Sequence, residues 1–146
     1  MYTYFAIMSF IIGACLGSFF NVCIYRIPNK KSVVNPPSHC CNCSTRLKPL
    51  DLIPIISFSL FRGKCRYCRQ KISSRYTLVE LLTGILFVLL YNMYGFSIIS
   101  LYYSLLVSVL VIITFIDLDH YIIHDKLIVF GLVVSIIFNI FNKCYN

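Results

Sequence analysis

Charge is scarce in this chain, and acidic charge most of all. Charged residues make up 12% of the 146 residues, and only five are acidic, against thirteen lysines and arginines. With a hydrophobic fraction of 59% and a mean hydropathy of +0.82, that scarcity excludes an ordinary soluble domain and indicates a polytopic membrane protein. No glycine-rich phosphate loop occurs, which excludes the usual nucleotide-binding motifs. There is no serine or cysteine nucleophile constellation, no internal repeat and no low-complexity tract. No basic segment precedes the first apolar run, and Arg26 follows it, so a cleaved signal peptide fits poorly.

The net charge of +8 first suggests a nucleic-acid partner, but its placement argues for no nucleic acid. Ten of the thirteen basic residues fall between Ile27 and Tyr76: Lys30, Lys31, Arg46, Lys48, Arg62, Lys64, Arg66, Arg69, Lys71 and Arg75. A basic loop between apolar spans is the positive-inside signature of a cytoplasmic segment.

Within that loop lie Cys40-Cys41-Asn42-Cys43 and Cys65-Arg66-Tyr67-Cys68, with twenty-one residues (44–64) between the pairs. Two Cys-x-x-Cys pairs at this separation are the pattern of a four-thiolate zinc site formed by Cys40, Cys43, Cys65 and Cys68. Disulfides or unligated thiols are the alternatives; a reducing cytoplasmic location weakens the first. Cys41 breaks the spacing and reads as a spare thiol, while Cys15, Cys23 and Cys144 read as small apolar residues. Four sulfurs leave zinc no open position for water, so the module reads as a structural clasp.

The apolar runs predict spans over about Tyr4–Tyr25, Tyr76–Met93 and Ile98–Ile116, each long enough to cross about 30 Å of hydrocarbon. A shorter run, Leu127–Phe141, has fifteen residues. Gly13 and Gly17, four apart, predict close approach of a neighbouring helix, and Asn21 needs a partner inside the bilayer. Leu52–Phe61 is too short to span and is interrupted by Pro54; it reads either as lying in the interface or as packing under the cysteine module. The fold class is therefore an all-α polytopic membrane protein of about four transmembrane helices, with a small cytoplasmic zinc-ribbon-like insert after the first. The expected divisions are 1–26, first transmembrane helix; 27–75, cytoplasmic four-cysteine module; and 76–146, the remaining membrane helices.

Carboxylates at or within a bilayer are costly and default to functional hypotheses. Asp117 ends the third span, and its place after an apolar run predicts either a buried carboxyl able to hold or release a proton or a helix terminus reaching interfacial water. Glu80, one turn into the second span, is expected to reach interfacial water or an arginine such as Arg75. His120 and His124 share a helical face and raise a weaker second metal possibility with Asp117 or Asp125.

Taken in order, the segments Gly13-x3-Gly17-Ser18-Phe19-Phe20-Asn21 through Arg26-Ile27-Pro28, the two cysteine pairs around Asp51-Leu52-Ile53-Pro54, Ser74-Arg75-Tyr76-x-Leu78-Val79-Glu80, and Ile116-Asp117-Leu118-Asp119-His120 carry a resemblance to type IV prepilin peptidases. That resemblance covers nearly the whole chain. It implies a bacterial inner-membrane, multi-pass aspartic endopeptidase that cuts prepilin and pseudopilin leaders on the cytoplasmic side. Many members also methylate the new amino terminus using S-adenosylmethionine. It places the first catalytic aspartate on Asp117; Asp119 and Asp125 match nearby acidic positions without that role. His124 stands where the family has proline. The family's second aspartate lies in a Gly-x-Gly-Asp motif on a later helix, and this chain contains no Gly-Asp. The resemblance therefore implies half of an aspartyl dyad, completed by a second chain or by a homodimer. The alternative is a non-catalytic or truncated zinc-ribbon membrane protein that binds prepilins or a pilus or secretion assembly partner.

Overall fold

A computed structural model describes residues 2–40, 42–121 and 125–145, with the side chains of 141–145 excepted. Among the described residues five α-helices form: α1 (Tyr2–Arg26), the short α2 (Ile56–Leu60), α3 (Arg75–Tyr94), α4 (Ile98–His120) and α5 (Asp125–Tyr145). Among the described residues, α1, α3 and α4 are long and apolar enough to cross a membrane. The α5 helix has 21 residues, longer than the apolar run predicted, and carries Asp125, Lys126, Ser135 and Asn139 among its apolar residues.

Helices α1 and α3 make the most intimate contact, and the reason is steric. A Cβ on Gly13 would stand 2.8 Å from the Thr83 carbonyl oxygen and 2.9 Å from the Gly84 Cα. A Cβ on Gly17 would stand 2.8 Å from the Glu80 Cα. The small-residue spacing predicted for α1 is thus used, with α3 as the neighbour. Asn21 finds its partner there too, donating from Nδ2 to the Tyr76 carbonyl at 2.9 Å. Phe20, Ile24, Val79, Ile112, Phe115 and Ile116 close the core where α4 joins the pair.

Gly95, in the left-handed region at φ +60°, ends α3. Ser97 then starts α4 by accepting the Ser100 N–H at 3.1 Å, as an N-cap should. This short turn returns the chain, so α4 ends beside the start of α3. Arg75 and Asp119 form an ion pair across those two ends. The opposite end is held by rings: Phe5, Tyr91 and Phe96 pack with centroids 5.0–6.4 Å apart. Helix α5 packs on α4, with Phe138 stacked on Tyr102.

Arg26 marks the edge of the basic segment in the sequence, yet it is buried. Its guanidinium donates to the carbonyls of Ser32, Val33 and Pro36 at 2.7–3.2 Å. Those bonds fold the loop back over the end of α1. Arg26→Ala is expected to loosen this return, seen as faster amide exchange over 30–37, because three carbonyls lose a charged donor.

Candidate metal module and the end of the bundle

The two cysteine pairs follow the same backbone path. Cys40 N–H donates to the Thr45 carbonyl at 3.0 Å and Ser44 N–H to the Cys40 carbonyl at 2.9 Å. In the second pair Cys65 N–H donates to the Gln70 carbonyl at 2.8 Å and Arg69 N–H to the Cys65 carbonyl at 3.0 Å. Antiparallel bridges His39–Arg46 and Lys64–Lys71 flank the two turns. Ser44 (φ 55°) and Arg69 (φ 58°) occupy the same left-handed position after each second cysteine. This is a repeat of geometry that residue identities conceal, since only the cysteines are shared.

The turns meet so that the sulfurs of Cys40, Cys43, Cys65 and Cys68 all lie within 4.8 Å of one another. Cys40 and Cys68 are 3.8 Å apart, far beyond the about 2.05 Å of a disulfide. A tetrahedral ion with metal–sulfur bonds of about 2.3 Å requires sulfur–sulfur edges of about 3.8 Å. The donor set and its spacing therefore suit a four-coordinate metal ion. Cys65 is buried, and the other three are partly exposed.

Hydrogen-bond donors favour the thiolate at Cys68 and Cys43, whereas at Cys40 the backbone donors are outweighed by burial and the neighbouring Cys65 and Cys43, which push the thiol up. The Gln70 N–H, then the Asn42 amide, lower the Cys68 thiol from 9.0 to about 6. Hydrogen bonds from Thr45 lower Cys43 as well. A thiol lowered in this way contributes stability fully above its unfolded value near 9.0 and loses it as pH falls through about 6. Metal retention by the module is expected to fall as pH is lowered, because protons compete with the ion for the thiolates, monitored by release to a colorimetric chelator.

Asp51 supports the module from the loop between the pairs. Burial pushes its carboxyl up, but the Lys48 N–H, the Tyr67 hydroxyl and Arg66 outweigh that and hold it below the ordinary carboxylate value. Tyr67 donates to Asp51 Oδ2 at 3.0 Å. Beside it, Leu50, Leu52, Ile53, Ile56 and Leu60 are exposed, which fits the interfacial alternative for this stretch better than burial. Ile55, Phe58 and Phe61 are partly covered, Phe58 by packing on the Gly63 backbone.

Asp117 lies at the same end of the bundle as the module and is exposed, as expected of a helix terminus reaching water rather than of a buried carboxyl. The physical reason is helical phase. Val109, Ile112 and Ile116 occupy the covered face of α4, and one further residue turns the side chain by about 100°. Among the described residues the Asp117 carboxylate makes no hydrogen bond or ion pair. Glu80 differs from expectation. It is buried at 8% exposure, accepts from the Ile55 N–H at 2.8 Å, and does not meet Arg75, which pairs with Asp119 instead. Among the described residues the cysteine set is the one cluster of potential metal ligands. Cys41 and His124 lie outside the described residues.

The family described as Bacterial Peptidase A24 N-terminal domain matches residues 11–94. A prepilin leader peptidase/N-methyltransferase of Myxococcus xanthus is 42% identical over 90% of this chain and 39% of its own length. A Neisseria gonorrhoeae protein of the same name is 35% identical over 89% of this chain and 54% of its own length. The type 4 prepilin-like proteins leader peptide-processing enzyme of Escherichia coli is 36% identical over 74% of this chain and 47% of its own length. This chain thus spans between 39% and 54% of these relatives. No solved structure matches.

Proposed function

Because the chain belongs to the bacterial peptidase A24 N-terminal domain family, we propose that it supplies the metal module and first aspartate of a prepilin leader peptidase. In this reading it is an aspartic endopeptidase of the bacterial inner membrane, with residues 27–75 in the cytoplasm as a module clasped by zinc. The substrates are prepilin or pseudopilin leaders, cut on that side.

One observation carries the reading: an exposed, unpaired Asp117 at the same end of the bundle as the cysteine module. Hydrolysis by carboxylates needs two of them sharing a proton, one activating water and the other polarising the peptide carbonyl. Asp117 would be one member. Its exposure leaves it free to meet a second carboxylate. Asp119 is committed to Arg75 and is not that partner.

Zinc would be held by Cys40, Cys43, Cys65 and Cys68 and would supply folding energy to the loop rather than a reactive water. Methyl transfer from S-adenosylmethionine to the cleaved amino terminus is the second activity in this reading, as in the names of the relatives.

The deciding experiment is cleavage of a purified prepilin by the chain in lipid nanodiscs, alone and with a protein carrying the Gly-x-Gly-Asp helix. Asp117→Asn is expected to lower cleavage by about 10²–10⁴-fold, the scale of a lost acid–base group, and Asp119→Asn much less. Undiminished cleavage by Asp117→Asn overturns the assignment. Leader binding without cleavage in either mixture, unchanged by Asp117→Asn, would instead identify a non-catalytic binding protein.

A further inference from the structure

A cavity of about 820 Å³ lies between the paired ends of α1 and α3 and the cysteine module. Its wall includes Asn21 from α1 and Thr77 and Glu80 from α3. Each of these three has an acceptor that the fold does not fully use. Asn21 is 4% exposed; its amide nitrogen is spent on the Tyr76 carbonyl, while its buried Oδ1 accepts nothing within the chain. The Thr77 Oγ1 is likewise buried without a partner. This contrasts with Thr83, whose hydroxyl donates to a carbonyl four residues back at 2.7 Å. Glu80 accepts from the Ile55 N–H and contacts the Ser18 hydroxyl, two neutral donors for a carboxylate with about four lone-pair sites.

No basic side chain is ion-paired with Glu80 among the described residues. The arginines near it are occupied elsewhere, Arg26 by three carbonyls, Arg66 by Asp51 and Arg75 by Asp119, and the two lysines that line the cavity, Lys31 and Lys71, form no ion pair with Glu80. Buried carboxylates are ordinarily paired, and buried acceptors hydrogen-bonded.

The three groups are neighbours. Thr77 and Glu80 are three apart on one face of α3. Asn21 is bonded to the residue before Thr77, and Gly17, one turn from Asn21, touches the Glu80 Cα. A ligand that completes this set must be cationic and must donate several hydrogen bonds. A primary ammonium has one positive charge and three donors. A hard metal ion would want six or more oxygens and more than one carboxylate.

We propose that Asn21, Thr77 and Glu80 form a binding site for a primary ammonium group, entered through the cavity beneath the cysteine module. Only the identity of the ligand rests on the methyl-transfer reading above. Under it the ammonium belongs either to the new amino terminus of a cleaved peptide or to the methionyl end of S-adenosylmethionine. The cavity is within the about 300–1,000 Å³ typical of small-ligand sites, large enough for either group with part of its attached chain.

The test uses the full chain in nanodiscs and two C-terminally amidated apolar peptides of one sequence, one with a free amine and one N-acetylated. The protein contains no tryptophan, so a tryptophan in the peptide reports binding through its own fluorescence. The free-amine peptide is expected to bind at least tenfold more tightly than the acetylated one, with Glu80→Gln removing that preference and Thr77→Val reducing it several-fold. If S-adenosylmethionine displaces the peptide from wild type but does not bind Glu80→Gln, the site takes the methionyl ammonium. If it binds elsewhere or not at all while the peptide preference holds, the site takes the peptide amine. Equal binding of the two peptides, with S-adenosylmethionine either not bound or bound equally by Glu80→Gln, overturns the proposal. So does retention of the amine preference by both variants. Should Glu80→Gln fail to fold, as judged by its thermal midpoint in nanodiscs, the wild-type acetylation contrast and Thr77→Val decide. Leader cleavage that depends on Asp117, alongside no amine preference and no Glu80-dependent binding, removes this site and leaves the peptidase reading intact.

Discussion

Replacing Gly17 with valine is expected to break the α1–α3 pair, the largest single-residue effect in the membrane-spanning part. The first added carbon already meets the Glu80 Cα at 2.8 Å and the Val79 carbonyl oxygen at 3.1 Å. Both are backbone atoms, so no rotamer change relieves the contact and the helices must move apart. Overpacking of a well-packed core costs about 1–3 kcal/mol, more when the neighbour cannot give way. Separation also disturbs the Asn21–Tyr76 hydrogen bond one turn further along. A lower thermal midpoint in nanodiscs and faster proteolysis of the 27–75 loop are the expected readouts. Gly131→Ala is the control: its Cβ would find its nearest neighbour, Val109 Cγ1, at an ordinary 3.6 Å. There the exchange should be neutral or stabilising by up to about 1 kcal/mol, since alanine favours the helix. A Gly17→Val protein as stable as wild type would show that α1 and α3 are not packed as described.

The second large effect is expected at Cys65. It is the buried member of the sulfur cluster, at 5% exposure, and it anchors the second turn through its own N–H and carbonyl. Cys65→Ser should reduce bound metal from about one ion per chain towards zero, because three sulfurs and a hydroxyl no longer make a soft tetrahedral site. The structural consequence is confined. Small metal modules derive about 10–16 kcal/mol from the ion, whereas the packed core around Ile24, Val79 and Ile116 contains none of the ligands. Hydrogen exchange should therefore rise across 38–72 and stay near wild type in α1, α3 and α4. Metal analysis of the purified variant, paired with Cys15→Ser as an exposed non-ligand control, distinguishes this from general unfolding. Full metal content in Cys65→Ser would remove the four-sulfur site.

Features governed by local or bulk constraints were legible before any coordinates. The cysteine spacing is one that lets two short turns bring four sulfurs within reach of a single ion, and the sulfurs do come together. Span lengths are imposed by the thickness of hydrocarbon, so α1, α3 and α4 begin and end within a few residues of the apolar runs. Gly13 and Gly17 announced a close helix contact, although nothing local said that α3 would be the neighbour. The ends were less legible: α4 continues beyond Ile116 to His120, and Tyr121 in the left-handed region then closes it.

What the sequence by itself determined is the apolar helical character and the clustering of four cysteines, because each depends on residue type and short spacing. Tertiary structure alone decided that Arg26 is buried as a loop anchor, that Arg75 pairs with Asp119 rather than Glu80, and that Asp117 is exposed. It also decided that Asn21, Thr77 and Glu80 face one cavity. The physical reason is common to all of these. Which side of a helix is covered depends on where and in what rotational phase its neighbour crosses, and a step of about 100° between adjacent residues separates a buried carboxylate from an exposed one.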